Sequence, residues 1–180
     1  ERSFFGRGCV AHVAMAHPTC CRLAGLIHLT AQEIGIDTVL GGTYLAMEGP
    51  QFSSCAESEM YRSLNCDVIG MTNIPEAKLA REAEMCYTSI AMVTDYDCWH
   101  PDHDHVTTRQ IINTLTENGL KAQTLLKNII PRIHSDSSAP ACSCRFALDN
   151  AIITPPASRD PEIVLKLSAV AGRVFKNGKP

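Results

Sequence analysis

Apolar and polar positions along the chain change period repeatedly, and the changes mark short strands alternating with helices. Residues 4–16 begin with glycines and then alternate small and apolar side chains around His12, which predicts a loop followed by a short strand. From Pro18 the apolar residues Leu23, Leu26, Ile27 and Ala31 recur at helical spacing, and the pattern stops near Gly35. Between Thr38 and Met47, Thr38, Val39, Thr43 and Tyr44 surround Gly41-Gly42, the pattern of a strand interrupted by a bulge or a close backbone approach. Glu48-Gly-Pro-Gln-Phe52 is a turn, and Ser54-x-x-Glu57 is a capping box that predicts a helix from about Cys55 to Leu64.

The same rhythm continues. A short strand over Asp67–Gly70 leads through Met71-Thr-Asn-Ile-Pro75 to a helix over 76–83, and a second apolar run, Tyr87–Val93, reads as a strand. Thr107-x-x-Gln110 is another capping box. The helix that it opens carries Ala122, Leu125, Leu126 and Ile129 on one face and is expected to end at Pro131. Residues 134–160, rich in Ser, Pro and Ala, read as a surface excursion, and 161–174 as a terminal helix with Ile163, Leu165, Leu167 and Val170 apolar. Such alternation predicts one α/β layered domain.

Composition narrows the function classes. At 180 residues, 45% hydrophobic and 19% charged, the chain has material for one core. A net charge of −3 supplies no basic field for phosphate backbones, so nucleic acid is not an expected partner. No apolar run approaches the ~18 residues of a membrane span, so no membrane partner is expected either. The opening Glu1-Arg-Ser-Phe-Phe-Gly6 has no initiator Met and no recognisable leader, and reads like the interior of a longer polypeptide. Nine cysteines are scattered through the chain, with Cys142-Ser-Cys144 and the adjacent Cys20 and Cys21 as the near pairs. A zinc site is ordinarily built from two pairs like Cys142-Ser-Cys144 or from added His at ligand spacing; neither is near in sequence, so reduced thiols and no metal are the expectation.

Chemistry points to 91–99. The run ending at Val93 is followed by Thr94 and two carboxylates one residue apart, Asp95 and Asp97, and the crevice beyond a strand's carboxyl end is where open α/β sheets hold ligands. By spacing alone the pair serves equally well as loop-capping carboxylates. Phe52 stands just ahead of a helix N-terminus, where backbone donors can receive an anion or a polar ligand edge; a core ring under a turn is the other reading.

Taken together, Glu48-Gly-Pro-Gln-Phe52, Ala56-Glu57-Ser58, Asp67-Val-Ile-Gly-Met-Thr72, Ile74-Pro-Glu76, Leu79-Ala-Arg-Glu82 and Thr94-Asp-Tyr-Asp-Cys-Trp99 resemble the trimeric purine nucleoside phosphorylase family, and within it the 5′-methylthioadenosine phosphorylase branch. The resemblance runs to about Ile133, and the tail, with Cys142-Ser-Cys144 and Ala147-Leu-Asp-Asn150, is similar to microbial members. It implies a phosphorylase/hydrolase-like layered fold with a mixed central sheet flanked by helices. It further implies that 1–180 is the C-terminal portion of one phosphorylase domain, and that the N-terminal portion with the phosphate loop belongs to a fragment that would pack against it.

The resemblance assigns roles residue by residue. Asp95 would be the acid at purine N7, with Asp97 beside it raising its pKa by like-charge coupling and accepting from the exocyclic amine. An Asn replaces this Asp in the 6-oxopurine branch, and Glu follows the Phe there where Ser53 stands here, so both positions imply a 6-aminopurine. Phe52 would stack on the base, Met71 lie under the ribose, Thr72 serve phosphate and Thr94 touch the ligand. Thr108, Ile111 and Ile112 would line the thioether slot, and His12 would reach into a neighbouring subunit's pocket, which implies a homotrimer. Gly70 stands where animal members carry Asn. The resemblance also implies two candidate disulfides, Cys142 with Cys144, after the Cys-x-Cys disulfide of some thermophilic relatives, and Cys20 with Cys86, at positions where relatives can bring cysteines together, whereas a cytoplasmic location would favour thiols. His100, His103 and His105 match no ligand pattern of the family and read as a loop.

The implied activity is phosphorolysis of 5′-methylthioadenosine to adenine and 5-methylthioribose 1-phosphate in purine and methionine salvage, with inorganic phosphate as co-substrate and no other cofactor. The alternatives are a purine nucleoside phosphorylase of broader specificity and a noncatalytic nucleoside-binding remnant.

Overall fold

The computed structural model of the protein describes residues 2–101, 107–137 and 139–176. In chain order its elements are α1 (Cys21–Glu33), β1 (Tyr44–Ala46), α2 (Cys55–Ser63), β2 (Val68–Gly70), α3 (Asn73–Glu82), α4 (Thr108–Ser135) and α5 (Pro161–Lys176), with short 3-10 turns at Ala139–Ala141, Ser143–Phe146 and Pro156–Ser158. Two compact units share them. The first gathers the described residues up to Leu23, Ile74–Thr88 and those from Asp136 onward; the second is Ala24–Asn73 with Ser89–Ser135. Among the described residues no helix is long and apolar enough to cross a membrane.

The first unit is built around Phe5, Cys9, Leu148, Ala151, Leu167, Ala171 and Val174. On α5, Leu167, Ala171 and Val174 follow one another at helical spacing and so form a single buried stripe. Leu165, expected on that face, is 74% exposed, because residues two apart on a helix point to nearly opposite sides. The strand expected within 4–16 is reduced to isolated bridges, Gly6 with Cys9 and Ala11 with Ile152. Its partner segment is flanked by turns and offers too short an edge for a ladder; the Ile153 amide still donates to Val10 O at 2.9 Å. The 134–160 stretch is not all surface: Cys144, Leu148 and Ala151 are buried, since its apolar residues fall between tight turns that return the chain to the core.

In the second unit β1 and β2 pair in parallel, Tyr44 opposite Val68, Leu45 opposite Ile69 and Ala46 opposite Gly70. Positive φ at Gly41 and Gly42 delays the strand until Tyr44. The Tyr87–Val93 run, expected as a strand, joins no ladder among the described residues. An apolar run becomes a strand only where a neighbour takes its backbone groups, and here Val93 O instead accepts from the Asn118 side chain of α4 at 2.9 Å.

A β-carbon at Gly70 would collide with the Tyr44 phenol, so the bare glycine here is the counterpart of that ring. Gly70→Asn is therefore expected to destabilise the protein by about 1–3 kcal/mol through overpacking, read as a lower urea midpoint, and Tyr44→Ala in the same chain should restore part of it.

Pro131 lies inside α4 rather than ending it. The missing amide removes one helical bond, but the following turn is anchored from outside. Arg132 donates to the buried Thr30 hydroxyl of α1 at 3.2 Å and pairs with Glu33, while the Ser135 hydroxyl donates to Pro131 O at 3.2 Å. Leu125 and Ile129 form the buried face of α4, and Leu126 is half exposed.

Candidate functional site

The second unit assembles its candidate site on two surfaces of α2. At the N-terminus, the Ser54 hydroxyl accepts from the Glu57 amide at 3.3 Å while the Glu57 carboxylate accepts from the Ser54 amide at 2.8 Å, the reciprocal capping that the sequence predicts. Phe52 and Ser53 are thereby fixed just ahead of the first helical turn. Phe52 is 86% exposed, which excludes the core-ring reading and leaves a flat aromatic face open to a partner. The turn that carries it is braced by Met71: a β-carbon at Gly49 would lie 2.5 Å from Met71 Sδ, so only glycine lets the thioether pack there.

Along its side α2 grips the acidic segment. Ser58 and Arg62, one turn apart, face the same way. The buried Ser58 hydroxyl donates to Asp97 Oδ2 at 2.6 Å, and the Arg62 guanidinium lies 3.7 Å above the Trp99 ring centroid. The Cys98 amide donates to Asp97 Oδ1 at 2.9 Å, and the Cys98 thiol donates to Ser53 O at 3.5 Å, joining the two surfaces. Tyr96 stacks on His100 at 4.4 Å.

The two carboxylates therefore sit in unlike surroundings. Burial pushes Asp97 upward, but donation from Ser58, from the Cys98 amide and thiol and from Ser53 prevails and holds it below its ordinary value. It is a fixed acceptor. Asp95 is exposed, with Oδ1 accepting from the Thr94 hydroxyl at 2.5 Å. Within the second unit, an exposed ring ahead of α2, an anion fixed by α2 and an accessible carboxyl group two residues from that anion are groups able to hold a flat heterocycle with donors on its edge.

The contacts thus bring together Ser53, Asp97, Cys98 and Ser58; Met71 and the turn at Gly49; and Thr94 with Asp95. Thr72 is exposed between β2 and α3. Ile111 is half-buried and Ile112 56% exposed in the first turns of α4, while the side chain of Thr108 lies outside the described residues. His103 and His105 also lie outside them. His12 belongs to the first unit, exposed, its amide donating to Ala151 O at 2.8 Å. The sequence assigns no role to Ser58, which it shows only within the Ala56-Glu57-Ser58 motif, or to Arg62 and Asn118. The spacing of Ser58 and Arg62 is visible, but what they grip lies far along the chain.

Side chains able to hold a metal stand elsewhere, in the first unit. Cys20, Cys86, Cys142 and Cys144 converge there, although their spacing along the chain argued against a metal. Burial pushes the Cys144 thiol up to about 12, whereas Cys142, against the same push, is held at about 6 by the Cys144 amide, the Arg22 guanidinium and neighbouring thiols. The described cysteines are all free thiols.

Residues 1–131 match the family model of the Phosphorylase superfamily. The chain belongs to this superfamily. It is 57% identical over 179 residues to the S-methyl-5′-thioadenosine phosphorylase of Bradyrhizobium diazoefficiens, covering 98% of this chain and 60% of that protein. Against the enzyme of the same name from Cereibacter sphaeroides the identity is 56% over 175 residues, with 97% and 60% covered. The crystal structure of a methylthioadenosine phosphorylase from an antarctic soil metagenomic library superposes with a TM-score of 0.87 at 40% identity, over 94% of this chain and 60% of that one. The Schistosoma mansoni methylthioadenosine phosphorylase in complex with adenine gives 0.73 at 27% identity, over 82% and 59%. This superfamily member thus spans about 60% of the length of these relatives, and its layered α/β fold is that of the superfamily.

Proposed function

We propose that the chain forms the base- and ribose-binding part of an enzyme that phosphorolyses 5′-methylthioadenosine to adenine and 5-methylthioribose 1-phosphate. The observations that carry this reading are an exposed ring, Phe52, just ahead of α2, and two carboxylates of unlike environment, Asp97 held by Ser58 of α2 and Asp95 exposed beside Thr94. The names of relatives 56–57% identical to it support the substrate. Inorganic phosphate is the co-substrate, and no other cofactor enters.

In the reaction a phosphate oxygen bonds to the sugar C1′ as the C1′–N9 bond breaks, and the bond's electron pair leaves with the base. Asp95 is the acid that gives a proton to N7 and so lets adenine depart neutral, a contribution of about 10² to 10⁴ in rate. Asp97 stays ionised and accepts from the 6-amino group, a donor that 6-oxopurines lack. Phe52 stacks on the purine, Ser53 and Thr94 frame its edge, Met71 packs under the ribose and Thr72 donates to phosphate. Thr108, Ile111 and Ile112 enclose the methylthio group, and His12 completes the pocket of a neighbouring subunit in a homotrimer. An N-terminal portion of the same protein supplies the remaining phosphate contacts, and the reaction belongs to the cytoplasm. In the full protein, kcat/KM should rank 5′-methylthioadenosine above adenosine and both above inosine, with adenine release dependent on phosphate. Phosphate-independent release, or no turnover by the complete protein, would contradict the proposal.

Ser58 is the positioning residue for Asp97. Ser58→Ala is expected to cost about 1.5–3 kcal/mol of stability at neutral pH, since a part-buried hydrogen bond to a charged group is lost. The sign of its pH dependence follows from the depressed carboxyl. Asp97 stabilises the fold above its unfolded pKa of about 3.9 and loses that contribution as pH falls through the lower folded value, so the gap between wild type and S58A should narrow in acid. Urea titrations at neutral and acid pH measure it.

A further inference from the structure

We infer that Cys20, Cys86, Cys142 and Cys144 form a structural zinc site, one that the purine chemistry does not use. The four Sγ atoms all lie within 4.8 Å of one another, and Cys142 Sγ stands 3.6 Å from both Cys20 Sγ and Cys86 Sγ. Zinc–sulfur bonds of ~2.3 Å in a tetrahedron set the sulfurs about 3.8 Å apart, so the thiols stand close to the spacing that the ion requires. Four sulfur donors with no oxygen or imidazole among them select a thiophilic ion, and zinc is the redox-inert one.

Each donor is held by different local structure. Cys20 immediately precedes α1, and its amide donates to Tyr87 O at 2.7 Å. Cys86 follows α3. Cys142 and Cys144 flank the start of the 3-10 turn Ser143–Phe146, whose Arg145 amide donates to Cys142 O at 3.0 Å. Three segments distant in sequence therefore meet at one point, which is how a structural zinc replaces missing apolar core.

The surroundings fit a bound anionic cluster. Four thiolates on a divalent ion carry a charge of −2, and two guanidinium groups face them: Arg22 Nη2 donates to Cys86 Sγ at 3.4 Å and Arg81 Nη1 to Cys144 Sγ at 3.6 Å. Arg22 is itself anchored by Asp136, and Arg81 by His17 O. Such outer donors orient ligands and offset their charge. A cleft of about 550 Å³, lined by His17, Cys20, Arg22, Arg81, Cys142 and Cys144, gives the ion a way in. Binding forms four Zn–S bonds and releases to solvent the protons that the thiols still hold, with no change of oxidation state.

Zinc and the disulfides that the family resemblance implies exclude each other, because a Cys142–Cys144 or Cys20–Cys86 bond removes two ligands at once. The full protein, purified without chelator from zinc-supplemented cells, is analysed by elemental mass spectrometry and by non-reducing peptide mapping. About one zinc per chain is expected, with all four cysteines alkylated as thiols after denaturation in chelator. Cobalt(II) exchanged into the unmutated protein should give the visible bands and thiolate charge-transfer absorption of a tetrahedral four-sulfur site, a readout that does not depend on any variant folding. The double substitution C86S/C142S should lose the zinc and both spectral features. Stoichiometric iron in place of zinc, no metal beyond trace in wild type, or a disulfide linking any two of the four cysteines would overturn the assignment.

Discussion

Asp95→Asn is expected to lower kcat/KM for 5′-methylthioadenosine by about 10² to 10⁴ and to shift relative preference toward inosine. The side chain is exposed and bonded to its neighbour Thr94, so the substitution leaves folding within about 0.5 kcal/mol of wild type, and the loss is one of chemistry. A carboxylic acid can transfer a proton to N7 as the glycosidic bond breaks; a carboxamide can offer N7 a hydrogen bond but cannot give up the proton. The carboxamide does match a 6-oxopurine, since its amino group can donate toward N7 and O6. Steady-state kinetics with both nucleosides, beside a thermal melt, separate the outcomes. A substrate ratio equal to that of wild type would mean that another group is the acid.

Phe52→Ala has the second largest expected effect and the opposite signature. Stacking of a base on an aromatic ring is worth about 1–3 kcal/mol, which is roughly a 5- to 150-fold weaker affinity for the nucleoside on its loss. Because the ring is 86% exposed, its removal leaves no cavity, and the melting temperature should stay where it is. The rise is expected in KM, with a smaller change in kcat, because the ring touches the base in ground and transition states alike. A core phenylalanine would behave in reverse, with a fallen melting point and an unchanged KM.

How much of this was legible in the sequence depends on how local the cause is. Both capping boxes, at Ser54 and at Thr107, formed where they were expected, since Ncap and N3 lie three residues apart and satisfy each other without help from the rest of the chain. Of the run expected as an interrupted strand from Thr38 to Met47, only Tyr44–Ala46 forms a strand, but the break at Gly41-Gly42 was legible for the same reason. Tyr87–Val93 was not, because a strand is a property of two segments and only one of them can be seen in a local pattern. Pro131 misled in the same way: its local effect ends a helix, but Arg132 is tied to Thr30 and Glu33 about a hundred residues earlier, and the helix continues.

The candidate site divides along this line too. The residue types at 52, 95 and 97 were visible, and so was the place of Phe52 ahead of α2, but the strand expected to lead into Asp95 and Asp97 does not form among the described residues. That Asp97 is the anchored member of the pair was not visible, because Ser58 comes to it through the fold from 39 residues earlier. The cysteines are the sharpest case. Spacing along the chain gave reduced thiols as the expectation and did not show that Cys20 and Cys86 come to Cys142 and Cys144, where the fold makes a four-sulfur cluster.

The central claim is that this site selects a 6-aminopurine carrying an apolar 5′ group. The most direct measurement is the ratio of kcat/KM for 5′-methylthioadenosine to that for inosine, taken with the complete protein and saturating phosphate. The arrangement of Phe52, Asp95 and Asp97 predicts a ratio well above unity, and a ratio below unity would contradict it.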